Sequence, residues 1–183
     1  MDILEFASEV GKLKEVDRTG WKIRGVKNPE SVSDHSFRVA ILVMLYSKSP
    51  LDREKCLKMA LIHDLSEIYI GDIPTRLKEE DKVISDEEKV RLEKEGFKKL
   101  FKKLPKDHKE ELKSIWEEFL EQRTEEAKFV NDMDKIEMLL QCLEYKKSGL
   151  IKDCEEFFLT AEKRLKTRIG LKLFRVLKGK SRG

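Results

Sequence analysis

The sequence is poor in cysteine, proline, histidine and amide side chains, and it has no long apolar run. Its three cysteines, Cys56, Cys142 and Cys154, are odd in number and widely spaced, and they form no Cys-x-x-Cys pair. That pattern argues against a disulfide framework or a structural zinc site. It predicts three small buried side chains in a reducing cytoplasm. No stretch approaches the roughly 18 uninterrupted apolar residues of a membrane span, so no membrane partner is expected. The opening Met1-Asp2-Ile3-Leu4-Glu5 is acidic and has neither the basic start nor the apolar core of a signal peptide. Only Asn28, Asn131, Gln122 and Gln141 carry amides, while Lys and Glu are abundant, as in heat-adapted proteomes. Charge of one sign is also missing. With 39 basic and 36 acidic residues the net charge is +3, which excludes an acidic-tail protein and makes no whole-chain case for nucleic-acid binding.

The 183 residues suit one domain with its own core. Hydrophobic residues make up 39%, and they are placed periodically, so the 41% of charged residues does not signal disorder. The period is helical almost throughout. Asp2 with Glu5 forms a capping-box pattern before Ile3, Phe6, Ala7, Val10 and Leu13. Residues 15–30 look irregular. Ser31 caps a helix with Val32, Val39, Leu42, Val43 and Tyr46 near one stripe, broken at Ser49-Pro50. Asp52 caps a helix from about 53 to 70, closed by Gly71. Residues 71–84 read as a loop. Ser85 with Glu88, Asp107 with Glu110, Thr124, and Asp153 with Glu156 open the remaining helices, the one from Thr124 running to Gly149. The expected fold is all-α, an irregular multi-helix bundle over residues 1–183. From Lys163 to Gly183 there are nine basic residues and no acidic one. This basic tail reads as a helix end fraying into solvated charge, with phosphate contact as the alternative.

The chain has only three histidines, His35, His63 and His108. His63-Asp64 sits inside the apolar run Ala60-Leu61-Ile62-His63-Asp64-Leu65. An ionised aspartate there is costly to bury unless it is paired or bound to a metal. At about 100° per residue, His63 and Glu67 point the same way to within about 40°, and Asp64 joins them on one wall. His35 lies one helix earlier. Asp134 lies on the Thr124–Ser148 helix, flanked by Asp132 and Glu137, and position alone does not choose among these three acids. Two imidazoles and two carboxylates facing one point would suit Mn, Co, Zn or Fe. A lone His-Asp pair is nevertheless a weak signal, since most such residues are hydrogen-bonded core. His108, amid Asp107, Lys109, Glu110 and Glu111, reads as exposed and inert. Met138, Phe157, Phe158 and Phe174 read as core or interface.

Taken together, several stretches resemble the HD-domain superfamily of metal-dependent phosphohydrolases. The order of a single His, a His-Asp pair and a distant Asp reads here as His35, His63-Asp64 and Asp134. Arg18-Thr19-Gly20-Trp21, Pro29-Glu30-Ser31-Val32-Ser33-Asp34-His35, His63-Asp64-Leu65-Ser66-Glu67, Gly71-Asp72-Ile73-Pro74 and Ala127-Lys128-Phe129-Val130 resemble its 5′-deoxynucleotidase branch. The resemblance implies one divalent ion (Mn, Co, Zn, Mg or Fe) held by His35, His63, Asp64 and Asp134. It chooses Asp134 over Asp132 because Met133-Asp134 fits the family's apolar-Asp step. It implies catalytic acids at Glu67 and Asp72, with their separate roles open, and a phosphate contact at Arg18. It also implies a sugar-pocket tryptophan at Trp21, although Thr19 and Gly20 intervene where bacterial members place Arg and Trp side by side. Thr75 is a further candidate for phosphate contact. The implied reaction is hydrolysis of deoxyribonucleoside 5′-monophosphates. The alternatives are another nucleotide, such as a triphosphate or a cyclic or signalling nucleotide, or a binding module that uses the basic tail. A homodimer is expected, with Phe157-Phe158-Leu159 and Leu171–Leu177 as candidate contact segments.

Overall fold

A computed structural model describes residues 3–74 and 84–181. Among them the chain forms α1 (Ile3–Gly11), a 3-10 turn (Lys12–Glu15), α2 (Thr19–Ile23), α3 (Val32–Tyr46), α4 (Arg53–Ile62) and α5 (Glu67–Ile70). These are followed by α6 (Asp86–Phe101), α7 (Lys106–Glu121), α8 (Glu125–Lys147), α9 (Glu155–Arg164) and α10 (Arg168–Lys180). The described residues contain no strand, only an isolated bridge between Asp17 and Ser31. The fold is all-α, as the periodicity predicts.

α8 is the central post. It packs against α3, α4, α7, α9 and α10, and it buries residues on every side, from Ala127 and Phe129 to Leu139 and Cys142. A helix surrounded in this way needs apolar residues all round, and the polar exceptions are the informative ones. Asp132, Asp134 and Glu137 are buried along it. The caps at Ser31, Asp52, Ser85 and Thr124 form as the sequence predicts, each side chain accepting from the backbone three residues on. At Ser31 the box is reciprocal, with Asp34 Oδ2 accepting from the Ser31 N–H at 2.9 Å. Asp34 is thereby spent on the helix start.

Five expectations are corrected. The helix predicted over 53–70 is broken at residues 63–66. His63 Nδ1 lies 2.8 Å from the Ala60 carbonyl, taking the place that a continuing backbone N–H would have filled. Glu67 then starts a separate short helix, and Gly71, at φ +73°, ends it. α6 closes over this turn: a Cβ on Gly96 would meet the Ser66 carbonyl oxygen at 3.0 Å. Pro105 rather than Asp107 stands at the N-cap of α7, and Cys154 rather than Asp153 at that of α9.

The basic tail is also no frayed end. It divides at Leu165–Thr167 into α9 and α10, and α10 buries Gly170, Phe174 and Leu177 against the bundle. Phe158, Phe174 and Leu177 are therefore core rather than interface. Finally, Cys142 and Cys154 are disulfide-bonded, joining the end of α8 to the start of α9, and only Cys56 is a free buried thiol. Their separation of 12 residues gave no motif, because the pairing depends on how α9 folds back. Asp2 lies outside the described residues.

Candidate metal centre

α3, the turn after α4, and α8 bring His35, His63, Asp64 and Asp134 together. His35 is fully buried and His63 is 5% exposed. His35 Nε2 lies 3.2 Å from Asp134 Oδ1 and 3.8 Å from Asp64 Oδ2, and His63 Nε2 lies 3.0 Å from Asp64 Oδ2. Neither Nε2 has a hydrogen-bond partner of good geometry, although both are shut off from solvent. Buried polar atoms are rarely left so. Ligand atoms each about 2.1 Å from one ion stand roughly 3–4 Å apart. His35, His63 and Asp64 offer one ligand atom each within 4.8 Å of one another, and Asp134 adjoins that group through His35. Each ring's other nitrogen is anchored: His63 Nδ1 on the Ala60 carbonyl, and His35 Nδ1 on the Glu137 carboxylate. Outer partners of this kind fix which imidazole nitrogen faces a metal. The donor set therefore fits a divalent ion. A second group, Glu30 with His35 and Glu137, lies behind the first. Its carboxylates already serve Trp21 Nε1 at 2.8 Å and Arg38, so it has less to offer an ion.

Charge is balanced through a chain that runs from buried Glu137 outward to exposed Glu144. Arg38 Nη2 reaches Glu137 at 2.6 Å, and Arg38 continues to Gln141 and Glu144. Burial and nearby Arg18 disfavour a charged His35, but Glu137 and Asp134 outweigh them and push its pKa up to about 9. Despite burial, Asp64 is held below the usual carboxylate range by His63, His35 and Arg18. Asp134 is likewise held low, against its burial, by Lys135, whose Nζ is 2.6 Å from Oδ2, and by His35.

The cluster forms one end of a pocket. Arg18 Nη1 lies 2.9 Å from Asp72 Oδ1 and 3.8 Å from Asp64 Oδ2, and burial notwithstanding, these acids keep it firmly protonated. Asp72 Oδ2 also accepts from the Thr19 N–H at 2.6 Å, so both its oxygens tie the Arg18 segment to the end of α5. Glu67 is buried, and its Oε2 has no partner. Burial, with Asp64 and Asp72 close by, raises its pKa well above the ordinary glutamate value. Trp21 is only 2% exposed and stacks on Phe157, although it does line the pocket.

The structure thus gathers His35, His63, Asp64, Asp134, Glu67, Asp72, Arg18 and Trp21 around one pocket. Thr75 lies outside the described residues. His63 and Glu67 both reach the site, yet through a turn rather than along the continuous helix face used to relate them. Sequence reasoning missed Lys89, Lys135, Met138, Phe157 and Thr160 in the lining, and Arg38 behind it. Arg38 lies one turn after His35 and Glu137 one turn after Asp134, a spacing that was available; Phe157 and Thr160 depend on how α9 returns. His108 is exposed. No helix among the described residues is long and apolar enough to cross a membrane.

Known proteins resemble this chain over most of its length. Mouse (Mus musculus) 5′-deoxynucleotidase HDDC2 is 43% identical over 155 residues, 82% of this chain and 75% of that protein. Schizosaccharomyces pombe 5′-deoxynucleotidase hdd1 is 38% identical over 162 residues, 86% of this chain and 79% of that protein. The crystal structure of PH0347 protein from Pyrococcus horikoshii OT3 superposes with a TM-score of 0.76 at 34% identity, covering 98% of each chain. A model of the HD domain matches residues 10–173, and with that span the chain belongs to the HD-domain family.

Proposed function

We propose that the protein is a metal-dependent phosphohydrolase, a 5′-deoxynucleotidase that splits deoxyribonucleoside 5′-monophosphates into deoxynucleoside and phosphate. The observation that carries this reading is the pair of unpartnered buried Nε2 atoms facing Asp64 and Asp134 beside a half-buried arginine. Relatives 38–43% identical over most of the chain and named 5′-deoxynucleotidases support it.

In this reading His35, His63, Asp64 and Asp134 hold one divalent ion: Mn, Co, Zn, Mg or Fe. Bound there, such an ion supplies Lewis acidity toward a phosphate oxygen and a water. Arg18, kept charged by the surrounding acids, pairs with phosphate oxygens through parallel N–H donors. Asp72 positions that guanidinium. Glu67 offers an unpartnered, buried Oε2, which suits it to hold the attacking water and move its proton. The water oxygen bonds to phosphorus as the P–O5′ bond breaks. O5′ leaves as an alcohol carrying one proton, so the water is divided between the two products.

The same reading takes the protein to be cytoplasmic. The Cys142–Cys154 bond fits that compartment in a heat-adapted host, whose intracellular proteins carry disulfides. It also takes the protein to be a homodimer. Phe37 is 67% exposed, Met44 42% and Leu45 60%; with Ile41 they form one stripe of α3, turned away from His35. Phe37→Glu is expected to halve the mass seen by light scattering, and an unchanged mass overturns this face.

The deciding experiment is phosphate release from deoxy- and ribonucleoside monophosphates and triphosphates, using metal-stripped protein and then protein with Mn, Co, Mg or Zn restored. Metal-dependent release from the deoxy monophosphates is expected. Release from triphosphates alone, or release that survives metal stripping, overturns the proposal.

A further inference from the structure

The pocket has two chemically different ends. One end is the charged set around Arg18, Glu67 and Asp134. The other is lined by Gly20, Trp21, Met138, Glu156, Phe157 and Thr160, drawn from α2, α8 and α9. Each polar side chain at this second end already has a partner. The Trp21 indole N–H donates to Glu30 Oε1 at 2.8 Å. Thr160 Oγ1 donates to the Glu156 carbonyl at 2.7 Å. The Glu156 carboxylate is ion-paired with Arg24. Beside these partnered groups the wall offers apolar surface, chiefly Phe157 and Met138, both half-buried.

Phe157 is also held rigidly. The Trp21 ring stacks on it with centroids 4.7 Å apart and planes at 29°, and the Arg24 guanidinium lies over it at 5.4 Å. Tyr145 braces Trp21 edge-on at 5.3 Å, and the Glu30 N–H donates to the Tyr145 hydroxyl at 2.8 Å. The Cys142–Cys154 bond pins the start of α9 one turn before Phe157. Trp21, at 2% exposure, is the backing of this wall, and Phe157 is its face.

We propose that Phe157 and Met138 are the specificity-determining residues of the pocket: they form an apolar wall against the nucleoside and favour sugars without a 2′-hydroxyl. This rests on the nucleotidase reading and assigns sugar selection to α9 and α8, with Trp21 acting through Phe157. A ribose hydroxyl placed against the Phe157 and Met138 side chains would lose its water and gain no hydrogen-bond partner from them. Apolar surface discriminates against an added hydroxyl by at most about a hundredfold, so the preference is real but limited.

The test measures kcat and KM for matched deoxy- and ribonucleoside monophosphates on the metal-loaded protein and on Phe157→Ala, Phe157→Leu and Met138→Gln. Phe157→Ala is expected to raise KM for the deoxy substrate about tenfold and to lower the deoxy-to-ribo ratio of kcat/KM by a similar factor. Phe157→Leu should restore most of both, and the inhibition constant of inorganic phosphate should stay within twofold throughout. If KM and the ratio are unchanged in Phe157→Ala and Met138→Gln, the wall is overturned while the nucleotidase reading stands. If Phe157→Ala does not fold, Met138→Gln decides by the same two numbers. A wild-type protein that binds inorganic phosphate but cleaves no nucleoside monophosphate overturns both.

Discussion

Asp132 and Asp134 are two residues apart on α8, both buried, and they serve opposite sides of the molecule. Two steps turn a helix by about 200°, so the carboxylates point in nearly opposite directions. Asp134 faces His35 on α3, with Oδ1 3.2 Å from Nε2. Asp132 faces the junction of α9 and α10. There it accepts from the Lys166 N–H at 3.0 Å, the Thr167 N–H at 2.7 Å and the Thr167 hydroxyl at 2.6 Å. One carboxylate is surrounded by groups whose hydrogen bonding is incomplete; the other has its lone pairs filled by backbone and a helix cap. Burial of an acid is therefore no sign of function by itself. What distinguishes them is whether the surrounding donors are already satisfied.

The sharpest way to break that comparison is to remove each carboxylate in turn. Asp134→Ala should abolish metal-dependent phosphate release, by more than the about 100-fold that loss of an outer-shell partner typically brings. Its melting temperature should hold near wild type in metal-free buffer. Retained activity at saturating metal would remove Asp134 from the ligand set. Asp132→Ala should do the reverse. It leaves the Lys166 and Thr167 N–H groups unpaired in a part-buried junction, at about 1–3 kcal/mol each, so urea unfolding should show a loss of about 3 kcal/mol. Activity per folded molecule should be unchanged at low temperature. An Asp132→Ala protein that is stable but inactive would make Asp132 the functional acid.

Glu137 tests a finer version of the contrast, because it is buried and satisfied yet touches the site. Its carboxylate holds His35 Nδ1 and is itself neutralised by Arg38. Glu137→Gln keeps the shape and removes the charge. Titration calorimetry should then show metal affinity lower by about 10- to 100-fold, with kcat at saturating metal less affected. An unchanged affinity would make Glu137 a core residue only.

The two acids were not equally legible. The helical period, the caps at Ser31, Asp52, Ser85 and Thr124, and the gathering of His35, His63 and Asp64 followed from local rules and motif order. Position on α8 left Asp132, Asp134 and Glu137 undecided, and the resemblance to a family chose Asp134. Nothing local announced the role of Asp132, since its partners are backbone groups 34 and 35 residues away. The same non-locality hid the Cys142–Cys154 bond and the Phe157 wall. Both depend on how α9 folds back on α8: the turn after Gly149 was legible, but not which face of α9 meets α8. The broken α4 helix is different. His63 ends it by bonding the carbonyl three residues back, a competition between side chain and backbone that a periodicity count does not see.

The smallest effect is also the most specific. Gly170 sits in the first turn of α10, where an added Cβ would lie 2.2 Å from Asp132 Oδ2 and 2.9 Å from its Cβ. The carboxylate cannot swing aside without giving up the donors of Lys166 and Thr167. Gly170→Ala should therefore cost about 1–3 kcal/mol, as overpacking does, although alanine is the better helix former. In an Asp132→Ala background the obstacle is gone. There the same substitution should turn neutral or stabilising by up to about 1 kcal/mol, the ordinary gain of alanine over glycine inside a helix. A change of sign between the two backgrounds is the coupling expected of two residues in contact. Equal costs in both would mean that α10 is held by Phe174 and Leu177 alone and that Asp132 merely fills space beneath it.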